Sequence, residues 1–558
     1  MRGDVMEHKG IFCKFLVIAV CTSSILVINA CTAHKPSEEY DIIIKDTLLM
    51  DGTGNPGRRT DIGIIGERVK YVGKISGEAD VVIEAKGRVT SPGFIDMMGQ
   101  GSYELVVDRG SAESKLRQGI TTLLVGEGFS MAPMNEQIAQ YLEIKPEWTT
   151  FAEYFHFLED NKIALNVVHN VGAALIRALV VGDKDVEPTP AQLEQMKAHV
   201  EQSMIDGCVG ISTALIYPPG SYAKTEELIE MAKIVAKHGG NYQTHVRNES
   251  SQLLEAIEEA LRIGREASIP VHIYHLKAAG EENWHLMPKA LKMIADAREE
   301  GLEVTADIYP YLRNGIGLES FIHPRHYADG REAFLPTLSD PEVRKRLQQE
   351  IETSSDWENW YRHVGKNWGN VLVSNLRKES DPEIAGLSVK EIAEKRGQEV
   401  WGVFFDLVME GVGVNPKSMN EEQKHQALKA PFICVDTDAA PVNPEKIASC
   451  HPRAFGAFAR IIAKYVREEK VITLEEAMRR MAALPAEILK IKNRGLVGPG
   501  YYADLLIFDP DRVQDKATFA SPLEYSEGFD YVIINGAIVI DDNRMTEALP
   551  GHVIRHKR

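Results

Sequence analysis

Between residues 92 and 438 a short apolar strand run followed by a helical run occurs eight times. Nothing else in the chain limits its fold as severely. The strand runs are 93–97, 121–125, 164–169, 209–213, 240–245, 270–275, 303–308 and 431–438. Helical periodicity lies between them, for example at 191–205, 225–237 and 251–263. Strands joined through helices pair in parallel, because the helix supplies the long crossover that a parallel pair requires. Eight such units predict an α/β fold, a (β/α)8 TIM-like barrel over 92–489, with its chemistry at the C-terminal ends of the strands. The last interval, 309–430, is too long for one crossover. An inserted helical subdomain within 312–430, after the seventh strand and near the barrel mouth, is therefore expected.

The two ends of the chain have another texture. Short strands are predicted at 41–45, 61–65, 69–72 and 81–84, separated by Gly52, Gly54, Gly57, Gly66, Gly73 and Gly77. The C-terminal end repeats this at 503–509, 531–534 and 537–540, with Asn535-Gly536 as a hairpin turn. Two β-rich ends around a barrel predict one small β-sandwich built from 40–91 and 490–556.

Residues 1–14 carry Arg2, Lys9 and Lys14 ahead of an apolar run at 15–30. As a helix that run would measure about 24 Å, short for a membrane span but suited to a signal-peptide core. It ends in Ile28-Asn29-Ala30-Cys31, which resembles the lipobox of bacterial lipoproteins. Residues 1–30 thus read as a lipoprotein-type signal peptide, Cys31 as the lipidated residue and 31–39 as a tether. The expected location is outside the cytoplasm, anchored to a membrane by lipid and facing the periplasm or the cell exterior. Asn29 departs from the lipobox pattern, which keeps plain secretion or an uncleaved anchor as alternatives.

Composition excludes several classes. An apolar fraction of 44% is too high for a disordered chain. Eighty-one acidic against 63 basic residues give a net charge of −18, a field that repels phosphate backbones, so no nucleic-acid partner is expected. Six cysteines in 558 residues do not form a disulfide framework.

The residues able to do chemistry stand at predicted strand ends. His245 ends the fifth strand, His275 the sixth, Asp307-Ile308-Tyr309 the seventh and Asp436-Thr437-Asp438 the eighth. A single histidine is ordinarily a core or surface residue. Two that end consecutive barrel strands, with an aspartate ending the last, suit a metal site. Neutral imidazoles bind Zn²⁺, and a catalytic zinc keeps three protein ligands and one open position. An aspartate beside that position can accept a proton from water.

The ordered motifs Pro92-Gly93-Phe94-Ile95-Asp96, Gly119-Ile120-Thr121-Thr122, Gly210-Ile211-Ser212-Thr213, Thr244-His245-Val246-Arg247-Asn248-Glu249, His275-Leu276-Lys277, Asp307-Ile308-Tyr309-Pro310-Tyr311 and His451-Pro452-Arg453 resemble the D-aminoacylase (N-acyl-D-amino-acid deacylase) family of the amidohydrolase superfamily. The resemblance runs over about residues 40 to 556. Two departures stand out. Where the superfamily has His-x-His after Phe-Ile-Asp, this chain has Met98 and Gln100, neither a good zinc ligand. Where the family usually has Gly-Asn-Cys-Gly with a zinc-binding cysteine, this chain reads Gly126-Glu127-Gly128, and Glu127 falls at the ligand position.

The resemblance therefore implies one Zn²⁺ per chain held by Glu127, His245 and His275, with Asp438 as the proton carrier and Asp436 as its rival. It implies Lys277 and Tyr309 at the substrate carboxylate. Arg453 is a further candidate there, and Tyr217 is a candidate donor to the amide oxygen. The implied reaction is zinc-dependent hydrolysis of an N-acyl-D-amino acid, or of a dipeptide with a C-terminal D-residue. Alternatives are another dipeptidase or cyclic-amide hydrolase of the superfamily and, in a different class, a metal-free binding lipoprotein. His169, His272 and His451 read as supporting or structural.

Overall fold

The computed structural model describes residues 39–556, apart from 143, 356 and 377–380. The signal-peptide reading and Cys31 lie outside the described residues. Among those described, no helix is long and apolar enough to cross a membrane.

Five strands come first: β1 (Tyr40–Leu49), β2 (Arg58–Ile65), β3 (Arg68–Gly73), β4 (Ala79–Glu84) and β5 (Val89–Pro92). Seven barrel strands follow: β6 (Phe94–Asp96), β7 (Ile120–Val125), β8 (Asn166–Gly172), β9 (Gly210–Ala214), β10 (Asn241–His245), β11 (Val271–Ile273) and β12 (Val304–Ile308). The insertion contributes β13 (Ile316–Gly317), β14 (Val371–Ser374) and β15 (Gly413–Pro416) before β16 (Ile433–Val435) completes the barrel. The chain ends with β17 (Leu505–Phe508), β18 (Phe529–Ile534), β19 (Ala537–Asp541) and β20 (Arg544–Met545).

All eight expected barrel strands are present, parallel, in the order β16-β12-β11-β10-β9-β8-β7-β6. The last run, 431–438, keeps only three residues as strand, because the chain beyond Val435 turns into the mouth. Helices wrap outside. Pro190–Asp206 starts from Thr189 in a capping box with Gln192, and Leu253–Ala267 buries Leu253, Ala256, Ile257, Ala260, Leu261 and Gly264, the i, i+3, i+4 face that a barrel helix presents inward.

β6 and β16 share no strand ladder, and side chains close the barrel between them. Thr437 donates to Asp96 from its amide (2.9 Å) and its hydroxyl (2.6 Å). Lys115 Nζ donates to Asp96 Oδ2 (3.0 Å), Thr437 Oγ1 (2.5 Å) and the Ala439 carbonyl (2.6 Å). Lys115 and Asp96 are fully buried, so each ionised group depends on the other.

Both chain ends meet in one continuous nine-stranded sheet, in which β5 joins β1 to the antiparallel β17. Asn535 (φ 48°) and Gly536 (φ 77°) make the tight turn between β18 and β19. The insertion is helical as expected but also holds a small antiparallel sheet, β13-β15-β14, over its own apolar core with Phe321, Trp360, Trp368 and Phe404. It packs on the barrel mouth: the Glu249 amide donates to Glu358 (3.0 Å) and the Gly280 amide to the Ser418 carbonyl (2.8 Å).

Candidate active site

Three side chains converge where β7, β10 and β11 end. Glu127 follows β7 between Gly126 (φ 99°) and Gly128 (φ 60°). A Cβ on Gly126 would lie 2.5 Å from the Asn170 carbonyl oxygen, so only glycine lets the chain turn the carboxylate over the barrel there. His245 is the last residue of β10. His275 stands two residues past β11 with φ 34°, its amide donating to the Asp307 carboxylate. One ligand atom from each of Glu127, His245 and His275 lies within 4.8 Å of the other two. His245 Nδ1 is 3.2 Å and His275 Nε2 3.9 Å from Glu127 Oε1.

A second carboxylate, Glu249, stands behind both rings. Its Oε1 lies 2.9 Å from His275 Nδ1 and its Oε2 3.7 Å from His245 Nε2. Glu249 thus stands on the far side of the two rings from Glu127, and a carboxylate there is the kind of group that orients metal-binding histidines. Lys277 Nζ donates to Glu249 and stands 2.8 Å from His275 Nδ1. The sequence reading put Lys277 at the substrate carboxylate; here the side chain is buried and its charge is matched by Glu249.

The electrostatics favour a cation at this place. Burial alone would raise the Glu127 pKa, but hydrogen bonds from His245 and His275 hold it at about 2. Burial and Lys277 push His275 down, yet Glu249 and Glu127 lift it to about 10. Two carboxylates, the half-buried Glu127 and the buried Glu249, thus draw positive charge into the cluster. The donor set, one carboxylate oxygen and two ring nitrogens, fits a three-ligand catalytic zinc site.

Asp436 and Asp438 separate sharply. Asp438 (φ 45°) accepts from Gln100 Nε2 at 2.8 Å and pairs with Arg453 Nη1 at 2.5 Å. Burial raises its pKa in spite of Arg453. Asp436 is completely buried, and neither of its carboxylate oxygens has a hydrogen-bond partner. Burial, with Asp307 and Asp438, pushes it well above the ordinary carboxylate range. Met98 packs among Ile95, Met97 and Leu124, and the Gln100 amide is engaged with Asp438.

Tyr309 is buried, and its hydroxyl has no partner. Three cations surround its ring: Arg453 at 4.6 Å, Lys424 at 4.8 Å and Lys277 at 5.8 Å from the centroid. Tyr217 is half-buried, its ring edge-on to His245 at 5.7 Å. His272 bridges Thr305 and Asp307 at 2.8 Å each. His451 contacts the Arg313 carbonyl (3.0 Å) and accepts from the Arg453 amide (3.0 Å). His169 lies 3.3 Å from Ser102.

Sequence reasoning missed Glu249, Gln100 and Lys424 as members of this site. Glu249 was visible four residues after His245, but strand periodicity ends at His245 and says nothing of a side chain that turns back. Lys424 lies on the helix Glu421–Lys429, whose sequence reads as a solvated, charged helix.

A model of the amidohydrolase family matches residues 388–540. The chain is 30% identical over 530 residues to a D-aminoacylase of Alcaligenes xylosoxydans xylosoxydans, covering 94% of this chain and 99% of that protein. It is also 30% identical over 530 residues to an N-acyl-D-glutamate deacylase of the same organism, with coverage of 93% and 97%. Among solved structures, N-acyl-D-glutamate deacylase from Bordetella bronchiseptica, complexed with zinc and a phosphonate inhibitor, is similar at a TM-score of 0.79 and 30% identity, covering 93% of this chain and 100% of that one.

Proposed function

The chain belongs to the D-aminoacylase family of amidohydrolases, and on that footing we propose that it hydrolyses the amide bond of N-acyl-D-amino acids, or of dipeptides ending in a D-residue, with one zinc ion. The observation that carries this reading is the convergence of Glu127, His245 and His275 within 4.8 Å at the mouth of a (β/α)8 barrel. These three side chains would hold the ion, which supplies Lewis acidity to a water and to the scissile carbonyl.

The remaining work falls to the chain. Asp438 accepts a proton from water and returns it to the leaving amine nitrogen. Its raised pKa suits a group that must both take and release that proton, and Gln100 and Arg453 keep its two oxygens in place. Asp436, fully buried and with neither carboxylate oxygen hydrogen-bonded, takes no part. Glu249 and Lys277 hold the His275 imidazole in place. Tyr217 donates to the amide oxygen as negative charge develops there. Tyr309 and Arg453 form the wall that meets the substrate carboxylate, and Lys277 adds positive potential at its edge. The apolar run before Cys31 supports export and lipid anchoring of this hydrolase.

The test is a panel of N-acetyl-D- and N-acetyl-L-amino acids, mixed dipeptides and cyclic amides, run on protein of measured zinc content. Turnover of N-acetyl-D-amino acids, abolished by chelation and restored by zinc, is expected. Turnover of cyclic amides or L-dipeptides alone would assign the chain to another reaction of the superfamily. Failure to bind any metal would make it a binding lipoprotein.

A further inference from the structure

The carboxylates around the site are not equally provided for. Glu127 and Glu249 face the two imidazoles, Glu249 also binds Lys277, and Asp438 is held by Gln100 and Arg453. Glu358 is different. It comes from the insertion, immediately before Asn359, which caps the helix Trp360–His363 and donates to the Ile351 and Ser354 carbonyls, so the backbone there is fixed. Its Oε1 accepts from the Glu249 amide at 3.0 Å, which sets it over the segment that follows His245. Glu358 is only 9% exposed, its Oε2 has no hydrogen-bond partner, and among the described residues it forms no ion pair. A buried carboxyl oxygen left without a donor is costly. The neighbouring cation, Lys277, is already bound to Glu249. His363 of the same segment supplies no charge, because burial pushes it down to about 3. The groups whose charges act on Glu358 are Glu249, Lys277 and His275, and its own charge acts on Tyr217. Tyr217 follows β9 and Glu249 follows β10, whereas Asp438 and Arg453 follow β16 on the other side of the barrel. Glu358 therefore stands away from the Arg453 wall, on the side left for the acyl part of a substrate.

We propose that the free oxygen of Glu358 receives an ammonium group carried by the acyl part of the substrate, so that the enzyme favours aminoacyl-D-amino acids over D-amino acids acylated by uncharged chains. The insertion then sets acyl specificity while the barrel supplies the reaction. Burial and the neighbouring Glu249 raise Glu358 from 4.5 to about 8 against Lys277 and His275, as expected of a carboxyl with no cation of its own. A substrate ammonium supplies that missing charge. The inference rests on the deacylase reading for the amide that is cut, but not for the presence of an ammonium subsite.

The experiment uses the full chain, loaded with zinc, at about pH 7, where an α-amino group is mostly protonated. Its probes are substrate pairs: glycyl- against N-acetyl-D-leucine, β-alanyl- against N-propionyl-D-leucine, and 4-aminobutyryl- against N-butyryl-D-leucine. The members of a pair differ only in the amino group, and the pairs differ in its reach. In at least one pair kcat/KM should be higher for the aminoacyl member by roughly 10- to 100-fold, the usual worth of a hydrogen bond to a charged group. In Glu358→Gln, which keeps the shape and removes the charge, that ratio should fall to within a few-fold of one. A merely structural role would lower both members alike and leave the ratio unchanged. If Glu358→Gln does not fold, Glu358→Met replaces it. If no member is turned over, calorimetric binding of the same pairs to the same protein reads the preference. The absence of a preference in every pair, or a preference that survives in Glu358→Gln, overturns the subsite. Turnover without preference overturns the subsite and keeps the deacylase reading. A preference in binding that Glu358→Gln removes, without turnover of any member, keeps the subsite and rejects the deacylase reading.

Discussion

Asp436 and Asp438 are two residues apart in sequence and differ in everything that matters for proton transfer. Asp438 is held from both sides by Gln100 and Arg453, whereas the oxygens of Asp436 touch no donor. Asp438→Asn should retain its metal, by elemental analysis, while kcat falls by roughly 10²–10⁴, the usual worth of a general base. Asp436→Asn should stay near wild-type kcat, because its carboxyl is fully buried and accepts no hydrogen bond that an amide would lose. The reverse pattern would transfer the proton to Asp436. Glu127 offers a separate test. Glu127→Ala should lose metal and activity together, and Glu127→Cys should regain part of both, since a thiolate is also a zinc donor.

Two elements depend on buried ionisable groups. At the seam between β6 and β16, Lys115 and Asp96 neutralise each other out of reach of water. Lys115→Met leaves that carboxylate uncompensated and should cost about 3–5 kcal/mol, read as a lower urea midpoint. The contact between the insertion and the barrel carries Glu358, whose pKa burial, together with the neighbouring Glu249, raises from 4.5 to about 8. Below 4.5 both folded and unfolded chains carry that proton, and its contribution to stability is complete. As pH rises toward about 8 the unfolded chain ionises first, so stability is lost through that window. Glu358→Gln removes the titration. Its melting temperature relative to wild type should therefore climb between pH 5 and pH 8, and a constant difference would show that Glu358 is ionised in the folded protein.

For the whole molecule the question is how many metal ions it carries and where it resides. Met98 is packed in an apolar cluster and Gln100 is spent on Asp438, so the strand-one side offers no second set of ligands. Elemental analysis should give close to one zinc per chain; two tightly held ions would require ligands outside this site. If Cys31 carries the lipid, Cys31→Ala should release active protein from membranes, because stable anchoring needs the acyl chains. Retention of that variant in the membrane fraction would point to an uncleaved apolar segment.

The eight strand–helix units, and the sheet strands at both chain ends, were legible because they follow from periodicity, which is local: each strand buries what its own few residues carry. His245, His275 and Asp438 were legible for a related reason, since a parallel barrel brings all its strand ends to one mouth. Other features needed the folded chain. β5, with its Pro92, has no alternation of its own and is a strand only because β1 and β17 flank it. Glu249 turning back on both imidazoles, Gln100 reaching 338 positions along the chain to Asp438, and Lys424 stranded beside Tyr309 are all decided by packing. Local sequence determines which segments become strands and helices. Which buried charges find partners depends on residues that only the closed barrel and its insertion bring together.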